Sequence, residues 1–331
     1  MSHNREVKAK DFLCDIFSPV KKELSLWGNS YKDILTRKEK EFFPLCEYLL
    51  SLPQREIRPG LVFLSAKSVC RNSLDTLNLS SLDKFAVSIE VFNTAILLQN
   101  SVMQNIDEEQ GENLNSKRGQ RSYTLLFSEY LFSRTFGLLI DVGQQEIIKR
   151  FMNILDAMIE VKIKEKNPIN NFEESEYIER IKNKTASLMS TACWAGASIV
   201  GGEGLFIKAV ENFGLNFGLT LQIVDDCLNI ISEEESFIQE LENKKINFSC
   251  IYPFSFLSRE EKREIFNFLR NRATMPRARI LALVYRAVEL ALKKAKLFSD
   301  KAKKDINCLP QSKFKESLIA LADFPLERLA K

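Results

Sequence analysis

The sequence has 331 residues, 45% of them apolar, with 47 basic and 44 acidic side chains and a formal net charge of +3. This length and apolar share can bury a large core, and the near-balanced charge, spread along the chain, excludes the strong positive field of a nucleic-acid binder. A single histidine, His3, and seven cysteines without CxxC spacing exclude a zinc site and histidine acid–base chemistry.

With 12 Gly and 9 Pro the chain has few of the residues that punctuate strand-rich folds, and helical periodicity runs almost throughout. The pattern predicts helices over Val7–Gly28, Tyr31–Leu52, Arg58–Cys70, Leu82–Asn105, Ser122–Leu139, Gln144–Ile163, Glu174–Val200 and Gly204–Ser232, with more in the C-terminal third. Breaks are expected at Pro53, Asn72–Ser80, Asp107–Gly119, Lys166–Asn171 and Gly201–Gly204. None reads as an interdomain linker, so one all-α domain over 1–331 is expected. The apolar stretch Phe85–Leu98 is interrupted by Ser88, Glu90 and Asn93 and is too short to span a bilayer, so no transmembrane segment is expected. The odd cysteine count and lack of a signal-peptide pattern point to a reducing, cytoplasmic setting. The basic run Lys293–Lys304 reads as the solvated face of an amphipathic helix, with Leu290, Leu297 and Phe298 on its apolar side.

The sharpest chemical signal is LQIVDDCLNI, residues 221–230. On a helix, Asp225 and Asn229 share a face at i and i+4, with Asp226 beside them. Adjacent acids on a helix are usually ordinary surface residues, but these are flanked by Leu221, Ile223, Val224, Leu228 and Ile230. Charges in so apolar a segment need a partner or a ligand. Two carboxylates and an amide oxygen are the hard donors that suit Mg²⁺, which keeps sites open for substrate phosphates.

This segment resembles the second aspartate-rich motif (FQxxDDxxD) of the trans-isoprenyl diphosphate synthases, with Asn229 in place of the last aspartate. Three further segments extend the resemblance. NKTASLMSTACWAGASIVGG is similar to the family's KT-containing helix, QREIRP to its GGKxxRP segment, and SEYLFSRTF to its GDYLLARAF helix with Glu129 for the aspartate. The resemblance is strongest over 55–232 and implies a single-domain helical bundle of the isoprenoid synthase type with a central hydrophobic cavity. It also implies that Arg55 and Arg58 contact isopentenyl diphosphate, that Lys184 and Thr185 contact an allylic diphosphate, and that Gln222 lies near the second metal site. Asp225, Asp226 and Asn229 become the candidate metal ligands.

Register between these segments places the family's first aspartate-rich motif on Asn100, Ser101 and Gln104, and its arginine pair on Glu109 and Gln110. The histidines that usually precede that motif fall on Asn93 and Gln99. Ala95 and Ile96, where the family often gauges product length, read as core. In the family, Mg²⁺ held between two aspartate-rich helices draws diphosphate from an allylic substrate, leaving a carbocation for the isopentenyl double bond to attack. Neutral amides bind Mg²⁺ poorly, and a unit charge at 4 Å is worth roughly 4 kcal/mol at an effective dielectric of about 20. The expectation is therefore an impaired or regulatory subunit, a homodimer or a heterodimer with an active synthase, with Mg²⁺ at the second motif only. The alternatives are a divergent prenyltransferase working through that second site and a carrier holding a prenyl diphosphate or other isoprenoid.

Overall fold

The computed structural model describes residues 11–36, 43–51, 55–70, 76–108, 114–165, 173–243, 252–270 and 272–330. Every regular element among them is helical. After a helical stretch over 11–16 and a 3₁₀ turn at Ser18–Val20, the chain forms α1 (Lys21–Thr36), α2 (Phe43–Ser51), α3 (Ile57–Val69), α4 (Thr76–Glu108) and α5 (Leu114–Val142). Then come α6 (Gln145–Glu165), α7 (Glu174–Ile181), a π turn at Lys182–Ala186, α8 (Ser187–Ile199), α9 (Gly204–Ser232) and α10 (Glu234–Asn243). The remainder is a 3₁₀ turn at Tyr252–Phe256, α11 (Arg259–Leu269), α12 (Arg277–Asp305) and α13 (Lys313–Ala330).

Several boundaries differ from those expected. α1 runs straight through Gly28–Ser30, where a break was predicted, and the break falls instead at the 3₁₀ turn, where Pro19 supplies no backbone donor. The Ser30 hydroxyl is donated to the Asp83 carboxylate of α4 at 2.9 Å, so a residue that reads locally as a helix breaker is held by a tertiary partner. α4 and α5 begin at Thr76 and Leu114, inside segments expected to be loops. The predicted helix over Glu174–Val200 is divided by the π turn. At Gly201 the backbone takes φ +66, a conformation that glycine enters without strain, and this turns the chain from α8 into α9.

Two hydrophobic clusters form the interior, and α9 belongs to both. Val210, Phe213, Phe217 and Leu221 face the cluster built from the N-terminal half with α8, the end of α12 and α13, whereas Ile223, Val224, Cys227 and Ile230 face the cluster built with α7 and α10–α12. Within the first cluster the Phe92 ring meets Phe132 and Phe151 edge-on at 5.6 and 5.2 Å, and Phe85 meets Phe151 at 5.9 Å. Edge-to-face contacts add about 0.5–1.5 kcal/mol each beyond area burial, so the space between α4, α5 and α6 at this level is packed with aromatic rings. The stretch Asn78–Val102 of α4 is long and apolar enough to cross a membrane, but its most apolar part is largely buried inside the protein, as befits a core helix. α13 lies against α3, α9 and α12, bringing the C-terminal turn to the segment that carries Asp225.

Candidate functional site

The site is built where the π turn meets α9. A Cβ on Gly218 would lie 2.6 Å from the Ala186 Cα, so only glycine permits this approach of two backbones. One turn further along α9, the Gln222 Oε1 accepts the Thr185 hydroxyl at 2.7 Å. Gln222 Nε2 in turn donates to Asp226 Oδ1 at 2.8 Å, and the Tyr177 hydroxyl of α7 donates to Asp226 Oδ2, also at 2.8 Å. A single π turn inserted in an α-helix frequently marks a functional site, and here it carries Lys184 and Thr185. Burial pushes the Asp226 carboxyl up to about 7; the Tyr177 and Gln222 hydrogen bonds and the Lys184 charge act in the opposite direction. The same neighbourhood raises the Tyr177 phenol, first by burial and then by the Asp226 charge.

Asp225 has a different partner. Its Oδ1 accepts a hydrogen bond from an Arg328 guanidinium nitrogen at 2.5 Å, across 103 positions of sequence. Burial raises the Asp225 carboxyl and the Arg328 charge counteracts that rise. Asn229, the third candidate ligand, is exposed at the far end of the segment.

The arginines before α3 lie in a second charged cluster. Arg58 donates through Nε and Nη2 to the two Glu90 oxygens at 2.6 and 2.9 Å. Arg55, in the turn that precedes α3, reaches Glu90 through its charge, and Asn93 adds a hydrogen bond. The Glu90 carboxyl is nevertheless raised, because it is almost wholly buried. The Thr94 hydroxyl bonds the Glu90 carbonyl at 2.8 Å, and the Tyr31 hydroxyl meets the Thr94 hydroxyl at 2.8 Å. Together these contacts tie α1, α3 and α4.

On the last turns of α4, Asn100 is half-buried, while Ser101 is exposed and donates its hydroxyl back to the Leu98 carbonyl at 2.8 Å. Gln104 lies on the helix, and nothing is described of its side chain; Glu109 and Gln110 lie outside the described residues. Ala95 and Ile96 are buried, as core residues should be, and Glu129 is exposed on α5. Thus Lys184, Thr185, Gln222, Asp225 and Asp226 gather at one place, Arg55 and Arg58 at the Glu90 cluster, and Asn229 in neither. Surface concavities of about 570 and 640 Å³, along α7 and α12 and beside Ser18–Leu26, contain none of these residues.

The Polyprenyl synthetase family profile matches residues 39–284. The chain belongs to this family. It is 28% identical over 295 residues to the short chain isoprenyl diphosphate synthase of Methanothermobacter thermautotrophicus, covering 85% of this chain and 89% of that one. It is 22% identical over 329 residues to an all-trans-nonaprenyl-diphosphate synthase of Rhodobacter capsulatus, covering 97% and 99%. In fold it is similar to a decaprenyl diphosphate synthase of the same organism, with TM-score 0.75, 20% identity and coverage of 96% and 99%. The geranylgeranyl pyrophosphate synthase of Corynebacterium glutamicum, complexed with calcium and isoprenyl diphosphate, matches with TM-score 0.75, 21% identity and coverage of 95% and 97%.

The family uses Mg²⁺ for prenyl diphosphate binding, so the donors of this member can be compared with what the ion requires. Mg²⁺ needs near-octahedral oxygen ligands that point to one centre. Here one Asp225 oxygen is held by Arg328, both Asp226 oxygens accept hydrogen bonds, Asn229 is exposed, and Ser101 turns to its own helix. In this arrangement Asp225 and Asp226 accept hydrogen bonds from Arg328, Tyr177 and Gln222, and each carboxylate keeps further lone pairs. Sequence reasoning overlooked Glu90, Tyr177 and Arg328. Glu90 gave a signal, an isolated acid inside an apolar helix segment, whereas Tyr177 and Arg328 lie far from the residues they bond and have no local signature.

Proposed function

We propose that this polyprenyl synthetase family member is a catalytically impaired or regulatory subunit of isoprenoid biosynthesis that pairs with an active synthase. The observation that carries the reading is on α4: from Val91 to Ile106 there is no carboxylate, and the positions aligned with the first aspartate-rich motif are Asn100, Ser101 and Gln104. Without carboxylates on that helix, nothing there balances the charge of Mg²⁺ or positions it against a leaving diphosphate. The retained residues, Lys184, Thr185, Gln222, Asp225 and Asp226, support a role in which the old substrate face is kept as structure or as a weak ligand site. Any Mg²⁺ bound by this chain would sit at the second motif, on Asp225 and Asp226.

Leu97 on α4 and Leu126 and Ile140 on α5 are exposed apolar residues on the helix pair that this reading assigns to the subunit interface. The chain works as one domain, and the cytosol suits its reduced cysteines, six of which are free among the described residues.

The test is incubation of the purified chain with Mg²⁺, isopentenyl diphosphate and allylic diphosphates of several lengths. No elongation above a heat-killed control is expected. Robust turnover by protein free of host synthase would replace this reading with that of a divergent prenyltransferase. Binding of a prenyl alcohol as tightly as its diphosphate would replace it with that of a carrier.

A further inference from the structure

We propose that the outward face of α5 is a self-complementary seam whose occupant is a second copy of this chain, bound antiparallel about a two-fold axis at the level of Leu131 and Phe132. The proposal rests on the assignment of α5 to the subunit interface, and goes beyond it by naming the occupant and the register. On its inward side α5 buries Phe127, Leu131 and Leu139. A helix that packs on one side alone carries polar residues on the other. The opposite face of α5 carries instead Tyr123, Leu126, Tyr130, Ser133, Gly137 and Ile140, at the alternating three- and four-residue spacing of a helix-pairing seam. Tyr123 is 52% exposed, Leu126 57% and Ile140 66%, so three large side chains on this face keep half or more of their surface in solvent.

The order of sizes along the seam identifies the occupant. When a helix meets its own copy antiparallel across a two-fold axis, positions equally far from the centre face one another. With the centre between Leu131 and Phe132, Tyr130 faces the partner's Ser133, Leu126 the partner's Gly137, and Tyr123 the partner's Ile140. The two inner layers each set a large side chain against a small one, and the two-fold axis repeats both, so knobs meet holes along the centre. A parallel pair would set every residue on its own copy, crowding Tyr130 on Tyr130 and leaving a gap at Gly137. Gly137 has no account within its own chain. A Cβ there would meet nothing within 4 Å, its φ is not positive, and glycine is unfavourable inside a helix. The close approach of a second helix carrying Leu126 supplies the missing reason.

The test uses the full-length chain in analytical ultracentrifugation. The parent is expected to sediment as a dimer at micromolar concentration, and Gly137→Leu, which fills the gap opposite Leu126, to raise the dimer dissociation constant by about tenfold or more. Adding Leu126→Ala to Gly137→Leu sets small against large again at that level and should recover most of the loss. Register is read by mild oxidation. A chain with both Leu126→Cys and Gly137→Cys should give a covalent dimer beyond the background of the native cysteines, because the facing positions come within disulfide reach. Leu126→Cys alone should not, since its two copies would lie about 16 Å apart along the seam. Both positions are exposed, so these variants should fold, which circular dichroism checks. A monodisperse monomer would overturn the proposal, as would a dimer indifferent to Gly137→Leu, a folded double-cysteine variant that does not cross-link, or a cross-link through Leu126→Cys alone. A chain that is monomeric by itself and dimerises only with an active synthase would overturn the choice of occupant and leave the proposed function standing. Elongation by the homodimer would do the reverse.

Discussion

Two arginine–carboxylate pairs lie in the segments that resemble the family's motifs or beside them, and they differ in the ways that decide what a charge pair can do. Arg58 grips both oxygens of Glu90 with two nitrogens, and the Glu90 side chain is only 3% exposed. Arg328 meets Asp225 with one nitrogen, and Asp225 is 33% exposed. A buried, two-point pair leaves an uncompensated charge in a low-dielectric interior when either member goes, whereas a half-exposed, one-point pair leaves a group that water can solvate. The first is therefore a staple joining α3 to α4, and the second is an exchangeable contact. Both sit on residues that the family resemblance would assign to ligand binding, and only the second can be given up cheaply.

The largest effect expected from this difference is at Arg58. Arg58→Ala should destabilise the fold by about 3–5 kcal/mol, the usual cost of stranding a buried partner, read from urea unfolding midpoints. Removing both members, as in Arg58→Met with Glu90→Leu, should recover much of that loss, because no unpaired charge then remains. A loss below about 1 kcal/mol for the single variant would put the two pairs in the same class and remove the contrast.

Next in size is the effect of placing charges at the positions proposed for the first aspartate-rich motif. Restoring Asp at Asn100, Ser101 and Gln104 and Arg at Glu109 and Gln110 should create Mg²⁺-dependent stabilisation by an allylic diphosphate, worth about 2.7 kcal/mol at a ligand concentration near 100 times Kd. Metal and diphosphate bind as a unit, so either set of changes alone should do little. Catalysis need not return, since Asn93, Gln99, Glu129 and Asn229 still depart from the family pattern. A folded five-fold variant that gains nothing in thermal shift would mean that the register through residues 100–111 is wrong or that the aromatic packing around Phe92 leaves no room for substrate.

The α9 face should also reveal itself through pH. The Asp226 carboxyl is raised from 3.8 to about 7 in the fold, so between those values the folded chain holds a proton that the unfolded chain has released. Its contribution to stability is present in full below the unfolded value and is lost as pH rises through about 7. The slope is at most about 1.4 kcal/mol per pH unit. Other carboxylates titrate in the same window, so the measurement is the difference in urea midpoint between parent and Asp226→Asn at several pH values. Equal slopes for the two proteins would show that Asp226 ionises normally and that burial is offset by Tyr177, Gln222 and Lys184.

Much of this was legible in the sequence, and what was not has physical causes. The all-helical class followed from scarce Gly and Pro and a 3.6-residue period, and α9 carries DDCLN within the span predicted for it. The break at Gly28–Ser30 was misplaced because Ser30 is held by Asp83, 53 positions away, which local propensity cannot register. The lack of any carboxylate from Val91 to Ile106 is visible directly, since a missing acid needs no partner to be recognised. Neutralisation of Asp225 was invisible for the opposite reason: the acid is present, and its cation arrives from the last turn of the last helix. Arg58 was singled out for a diphosphate, yet its guanidinium is paired with an acid that the sequence reading noted merely as an interruption of an apolar run.

The smallest effect expected is on stability at Arg328, and it bears most directly on the contrast between the two pairs. Arg328→Ala loses a single charge-assisted hydrogen bond at a partly solvated position, for which about 1 kcal/mol is the fair expectation. Truncation also removes the stem that lies near Phe324, so the single variant overstates the electrostatic part. A double-mutant cycle with Asp225→Ala separates the two, because the stem contact is lost equally on both sides of the cycle and cancels. The coupling between Arg328 and Asp225 should then be about 1 kcal/mol or less and should shrink in high salt, since both side chains reach solvent. The same cycle on Arg58 and Glu90 should give a coupling several times larger and nearly insensitive to salt. If the Arg328 coupling matches that of Arg58 in size and salt response, the C-terminal turn is as much a structural staple as α3, and its arginine cannot be the exchangeable one.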